Sequence, residues 1–195
     1  MALAPAAELP SPREPGAPYR VCLVCLGNIC RSPMAETVLR AELAAAGLAG
    51  ETARAVLVDS AGTGDWHVGD AMDPGARDAL ASRGHDGSAH RARQFQPSWL
   101  AERDLILAMD ARNLADLRRM AKGQDAERIR LFSEVGGLTP GGLGGVVPPG
   151  GSRVGDIPDP WGGGPEEFGH VLDLLGAAAP VIAERLARLL KTSAE

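Results

Sequence analysis

Apolar positions along this chain fall into short unbroken runs separated by helical patterns. Residues 20–25, Arg-Val-Cys-Leu-Val-Cys, form one such run. An unbroken apolar run of this length fits a strand buried on both faces, as in a parallel sheet. Residues 55–59, 105–109 and 129–132 read the same way. Between them lie punctuated helical stretches. One covers residues 33–46, with Ser32 as a preferred N-cap, Pro33 at the first helical position, Glu36 in the first turn and Gly47 as the stop. A second covers 74–83 and stops at Gly84, and a third covers 111–121 with Asp110 as its cap. The last runs from Pro165 through Leu190, and Pro180 is expected to kink or split it. Strands alternating with helices predict an α/β fold: a single-domain three-layer sandwich, with a four-stranded parallel sheet and helices on both faces.

Two segments lack periodicity. Residues 136–165 are rich in Gly and Pro and read as a long mobile loop within a domain covering residues 19–195. Residues 1–18 contain five prolines, two glutamates and one arginine, with no apolar core of a signal peptide. They are expected to be a disordered tail, or an addition from a misassigned start codon.

Composition narrows the function classes. A chain of 195 residues that is 45% apolar suits one domain with a substantial core. The apolar stretches are too short to span a membrane. A formal net charge of −5 argues against a nucleic-acid binder, whose affinity comes from neutralising phosphates. Any anion must therefore meet a local electropositive site. The three cysteines, Cys22, Cys25 and Cys30, all lie within nine residues. A secreted scaffold would spread them along the chain. Clustering predicts a reducing compartment and local thiol chemistry. The expected location is cytoplasmic, with export lacking a signal peptide left open.

Cys25 to Arg31 is C-x5-R at the C-terminal end of the first strand, the edge where open α/β sheets bind ligands. Five intervening residues can wrap backbone N–H groups around one tetrahedral oxyanion, and the loop then enters a helix N-terminus, itself an anion site. Gly27 permits a sharp turn and close approach. Arg31 can donate two hydrogen bonds to a phosphate. The same surroundings favour the thiolate of Cys25, the form that attacks phosphorus. Ser32 is placed to hydrogen-bond that sulfur.

The segment Val24-Cys-Leu-Gly-Asn-Ile-Cys-Arg-Ser-Pro-Met-Ala-Glu36 resembles the signature of the low-molecular-weight protein tyrosine phosphatases. Asp59-Ser-Ala-Gly-Thr63, Trp66-His-Val-Gly69, Ala89-His-Arg-Ala-Arg-Gln94, Met109-Asp110 and Asp159-Pro160 follow in the family's order, so the resemblance covers about residues 20–190. It implies hydrolysis of phosphotyrosine in proteins through a phosphocysteine. Cys25 would be the nucleophile, Arg31 the phosphate-binding group and Asp159 the general acid and base. Leu26, Gly27, Asn28, Ile29, Cys30 and Ser32 would form the substrate loop, and Asn28, Ser32, Ser60 and His90 the polar network holding its shape. Trp66 and His67 would wall the cleft, and Asp110 would be a structural acid beside the loop. The resemblance implies no cofactor and no metal. Phosphate or another oxyanion would be product or inhibitor, and nucleic acid and membrane are not expected partners. A monomer is the expected state, and the Ala/Gly/Arg-rich composition points to a bacterial source.

Read from its own surroundings, Asp159 is either an acid on a segment able to close over a site or a turn residue before proline. The chain departs from the family where a second aromatic usually follows the Asp-Pro pair, since Trp161 is followed by Gly162. Trp161 can still stack on a phenyl ring.

Cys22 and Cys25 make C-x2-C, but three residues of extended chain put them about 10 Å apart, beyond the roughly 7 Å limit of a disulfide. Cys22 is therefore expected to be a core thiol. Cys30 lies in the same tight loop as Cys25 and is either a reversible disulfide partner under peroxide, as the resemblance supports, or a small space-filler. His67, His85, His90 and His170 fit no metal spacing, and His85 and His170 are expected at the surface. Three rival functions differ in testable ways. A thioredoxin-coupled arsenate reductase would need cysteines after Cys30. A protein-arginine phosphatase would carry Thr in place of Ile29. A catalytically dead phosphate-binding module would lack Cys25, Arg31 or Asp159.

Overall fold

The computed structural model describes residues 8–50, 55–138 and 155–192. Four strands, β1 (Tyr19–Cys25), β2 (Val56–Gly62), β3 (Leu105–Ala108) and β4 (Ile129–Leu131), form one sheet in the order β2-β1-β3-β4. Every pairing is parallel, with Cys22 opposite Asp59 on one side of β1 and Ile106 on the other. The helices are α1 (Arg31–Ala45), α2 (Pro74–Ser82), α3 (Ala111–Met120), α4 (Phe132–Val135) and α5 (Pro165–Thr192).

Alternation along the strands shows why the sheet is the middle of three layers. Val21, Leu23 and Cys25 of β1, with Leu105 and Leu107 of β3, pack into a core shared with α1, α2 and α5. Cys22 and Val24, with Ile106 and Ala108, pack against Leu117 of α3 and Leu100 of a 3-10 turn at Pro97–Ala101. Both faces are apolar because both are covered. Cys22 is a free, buried thiol, and burial, reinforced by nearby Asp59, pushes its proton affinity up. Among the described residues, no helix is long and apolar enough to cross a membrane.

Several expectations need correcting. Residues 8–18, expected within a disordered tail, lie against the N-terminal edge of the sheet. The Tyr19 hydroxyl donates to the Pro10 carbonyl at 2.8 Å. Arg13 donates from its backbone to Asp104 at 2.6 Å, from Nε to the Arg103 carbonyl at 2.8 Å, and from its terminal nitrogen to the Leu100 carbonyl and Asp125 at 2.6 and 2.5 Å. Residues 1–7 lie outside the described residues. In the stretch expected to be loop from 136 to 165, residues 139–154 also lie outside them.

α5 runs unbroken through Pro180. Pro180 and Gly176, the residue one turn before it, both lie on the exposed side of the helix, while Ala178, Ala179, Ile182 and Ala183 hold the other side in the core. β4 ends at Leu131, and Phe132 already begins α4. His85 and His170 are half-buried rather than fully solvated.

The end of β2 abuts the loop that follows β1. A methyl group on Gly62 would lie 2.7 Å from the Leu26 carbonyl oxygen and 3.1 Å from the Asn28 nitrogen, both backbone atoms. Gly62→Ala is therefore expected to cost about 1–3 kcal/mol and to shift the loop, read as a lower urea midpoint together with weaker phosphate binding. Arg13→Ala is expected to cost about 1–3 kcal/mol in urea unfolding while leaving turnover of small aryl phosphates unchanged, because its contacts lie at the opposite edge of the sheet.

Candidate active site

The loop of residues 26–30 leaves β1 at the C-terminal edge of the sheet and enters α1 at Arg31. Its carbonyls are turned outward by their partners. Cys25 and Leu26 accept from the backbone of Thr63 and Gly64, Ile29 accepts from Asp73, all at 2.9 Å, and Cys30 accepts from Met34 within α1. The His90 ring nitrogen Nε2 lies 2.7 Å from the Asn28 carbonyl and donates to it. On the inner side of the loop the Asn28 N–H lies 3.3 Å from the Cys25 sulfur.

This turn requires a left-handed residue. Asn28 supplies it with φ +56°, among the described residues the one non-glycine with positive φ. Asparagine tolerates that region better than most residues, but it still needs support. Its side chain donates to Ser32 Oγ and Ser60 Oγ at 2.9 Å each and accepts from the Arg93 backbone N–H at 2.8 Å. The Ser60 hydroxyl donates in turn to Glu36 at 2.5 Å. Burial lowers the proton affinity of His90, which favours the neutral ring, while its bond to Asn28 works the other way.

Ser32 Oγ lies 3.0 Å from Cys25 Sγ. It was expected to cap α1. Instead the capping position falls at Cys30, which makes no side-chain cap, and α1 begins at Arg31. The Ser32 hydroxyl is taken by tertiary partners, and the first N–H groups of α1 are left free of a side-chain acceptor. Glu36 consequently lies beyond the first turn and serves Ser60 and Arg40.

Arg31 is buried, with 3% of its side chain exposed. It donates to Asp110 at 2.6 Å, to the Ile157 carbonyl at 3.2 Å and to Asp159 at 2.5 Å. Its Nε is buried without a partner. Burial works against the guanidinium charge, yet Cys25, Asp159 and Asp110 together outweigh it and hold Arg31 above its ordinary value. Asp110 is doubly used, since its other oxygen caps α3 at the Asn113 N–H, 2.7 Å away. Asp159 is partly exposed, and its second oxygen accepts from the Trp161 N–H at 3.2 Å.

A cleft of about 360 Å³ opens above the loop. Cys25, Leu26, Gly27, Ile29, Cys30, Arg31, Trp66, His67, Asp159 and Trp161 line it. Trp66 and Trp161 are 61% and 68% exposed and form its walls. His67 is braced by Asp70 at 2.9 Å and packs so closely that a methyl on Gly27 would meet its ring at 2.9 Å.

The expected loop-supporting residues Ser60 and His90 thus gather beneath the loop, and Asp110 beside it. Asn28 and Ser32, expected among the substrate-binding residues, are fully buried and do not line the cleft. Cys30 does line it, and burial first, then Asp73 and Cys25, push its thiol proton affinity up. Sequence reasoning missed Glu36 as a partner of Ser60, the Arg93 backbone as a partner of Asn28, and the Ile157 carbonyl as a partner of Arg31. Glu36 and Arg93 do fall within the motif stretches quoted above.

Comparison with known proteins agrees with this geometry. The family model described as low molecular weight phosphotyrosine protein phosphatase matches residues 20–192. A low molecular weight protein-tyrosine-phosphatase of Streptomyces coelicolor is 45% identical over 162 residues, covering 83% of this chain and 89% of that protein. A protein tyrosine phosphatase of Entamoeba histolytica, solved with Hepes in the active site, aligns with a TM-score of 0.73 at 28% identity, over 87% of this chain and 97% of its own. Wzb of Vibrio vulnificus, solved with benzylphosphonate, aligns with a TM-score of 0.67 at 26% identity, over 85% and 97% of the two chains. With the match running from β1 to the end of α5, the chain belongs to the low molecular weight phosphotyrosine protein phosphatase family.

Proposed function

We propose that this protein hydrolyses phosphotyrosine in proteins in two steps through Cys25, Arg31 and Asp159. In the first, the Cys25 sulfur attacks phosphorus, an S–P bond forms, and the bond from phosphorus to the phenolic oxygen breaks. Protonated Asp159 gives its proton to the departing oxygen. In the second, Asp159 takes a proton from water, the water oxygen attacks phosphorus, and the S–P bond breaks to release phosphate and the thiolate. Ser32 and the Asn28 N–H, at 3.0 and 3.3 Å from the sulfur, supply hydrogen bonds that a thiolate accepts as nucleophile and as leaving group.

The observation that carries this reading is Arg31. It is buried beside Cys25, with Nε unpartnered and a terminal nitrogen on Asp159. Those two groups form the fork that a phosphoryl dianion takes in a bidentate contact. Occupation of the fork would release the Asp159 carboxyl from Arg31 and leave it beside the leaving oxygen. The cleft walls support a phenolic leaving group: Trp66, Trp161, Leu26 and Ile29 offer apolar contact to a ring. Ile29 in particular brings apolar bulk where a guanidine would need polar partners. We further place the enzyme in a reducing cytoplasm as a monomer. What supports the former is that all three cysteines are unbridged.

The test is kinetic. Wild-type enzyme should turn over p-nitrophenyl phosphate and a phosphotyrosine peptide far faster than a phosphoarginine peptide, and inertness toward both aryl substrates would end the proposal. Cys25→Ser should lose turnover while still binding inorganic phosphate. Asp159→Ala should slow phenyl phosphate by about 10²–10⁴-fold and an ester with a very good leaving group far less, while binding phosphate at least as tightly as wild type, because the carboxylate competing for Arg31 is gone. Equal slowing of both esters would remove Asp159 from the acid role.

A further inference from the structure

A second groove opens on the other side of Trp161. It encloses about 620 Å³ between α2 and the glycine run 162–164 that leads into α5. Trp161 lines both this groove and the cleft over Cys25, so the two share it as a common wall. Its floor is apolar. Phe168 is buried under Gly75, where a methyl group would meet the phenyl ring at 2.6 Å, and Pro165 and Ala79 complete the surface. Residues 162–164 add no side chains, and all three are exposed.

The edges are acidic. Asp73 and Asp78 of the α2 segment line the groove, and the side chain of Glu167 lies against Gly163. Among the described residues no cation pairs with Asp73, Asp78 or Glu167. Residues 74, 75, 78, 79 and 82 share the face of α2 that lines the groove, and Arg77 lies one step round the helix from it. Asp73 and Glu167 each accept one backbone N–H, from Gly75 and Gly164 at 2.8 Å, and keep their negative charge without an ion pair. An apolar floor between such carboxylates complements a peptide that carries an apolar side chain next to a cation.

We propose that this groove takes the polypeptide flanking the phosphotyrosine, and that it selects an apolar residue followed or preceded by Lys or Arg. The inference rests on the reading of the Cys25 cleft given above. With the phosphorylated side chain in that cleft, the chain passes Trp161. One extended residue spans about 3.3 Å, so the next two or three residues reach the groove. The acidic edge would attract their cation and repel a flank carrying Glu or Asp.

The experiment compares phosphotyrosine peptides in a neutral frame, with Leu-Arg or Leu-Glu placed on either side of the phosphotyrosine, and p-nitrophenyl phosphate as a substrate too small to reach the groove. For wild type, kcat/KM should favour the Arg peptide over the Glu peptide by about fivefold on at least one side, mainly through KM, and the preference should shrink in high salt. Asp78→Arg should erase or invert that preference while leaving p-nitrophenyl phosphate kinetics unchanged. Wild type that turns over p-nitrophenyl phosphate but treats the peptides alike would overturn this proposal alone. So would an Asp78→Arg protein with the wild-type preference, or one that changes only its sedimentation, which would make the groove a contact between copies of this chain. Wild type inert toward p-nitrophenyl phosphate would overturn both this proposal and the reading beneath it.

Discussion

A guanidinium sealed from water inside a protein is costly unless its charge and its N–H groups are met. Arg31 is such a group, and the architecture around the cleft follows from meeting it. Asp110 reaches it from the start of α3, the Ile157 carbonyl from the segment before Asp159, and Asp159 from the loop leading to α5. Two segments far apart in sequence, the start of α3 and residues 157–159, are drawn to Arg31 at the C-terminal edge of the sheet. The Ile157 N–H is tied in turn to the Met109 carbonyl at 2.8 Å, so the acid-bearing segment is anchored to the end of β3 as well as to the cation. Removal of a single partner would leave a buried cation undercompensated, which is a larger penalty than the pair itself would suggest. The same arrangement leaves one nitrogen, Nε, without a protein acceptor, so the site is complete as a scaffold and incomplete as a hydrogen-bond network.

The second constraint is the left-handed Asn28. The turn that brings the Asn28 N–H back onto the Cys25 sulfur uses a residue with positive φ. Glycine would adopt it with less strain but offers no side chain. Asparagine meets the conformation and carries both a donor and an acceptor, which are satisfied by Ser32, Ser60 and the Arg93 backbone. The strain is therefore over-determined by contacts from β2, α1 and the 89–94 segment, which is the condition under which strained backbone persists at a site. Gly62 enters here too, because any side chain at that position would push against the Leu26–Asn28 backbone.

The parts of the fold legible in sequence were those governed by local or periodic signals. β1 and β3 read as buried strands because both of their faces are covered, which removes polar residues from the run. Asp110 read as the cap of α3 because capping is local. What sequence could not supply were bonds across long separations. Arg13 meets Leu100, Arg103, Asp104 and Asp125, at least 87 positions away, and nothing in a Pro-rich segment announces that. Ser32 was read both as a cap and as a partner of the Cys25 sulfur; only the second role holds, because Cys25 and Asn28 compete for the hydroxyl and win. At the site, the C-x5-R spacing and the strand before it identified Cys25 and Arg31 from the residues themselves. The Asp159 assignment leaned on the family resemblance, because an Asp before Pro in a Gly-rich stretch is ambiguous until Arg31 is seen bonded to it.

The departure at Gly162 links these strands of reasoning. The family resemblance would place a second aromatic after the Asp-Pro pair, where this chain has Gly162 following Trp161. Gly162 adopts φ +80°, a conformation that side-chain-bearing residues rarely take, so an aromatic could not simply be restored there without moving the backbone. With glycines at 162, 163 and 164, no side chain stands between Trp161 and the Phe168 floor, and Trp161 becomes a partition with open space on both sides. Bulk has been removed on the side facing α2 while the apolar contact beside Asp159 is kept. The contact expected from aromatic stacking therefore rests on Trp161 and Trp66 together, and the space on the far side of Trp161 is left to whatever flanks the phosphorylated residue.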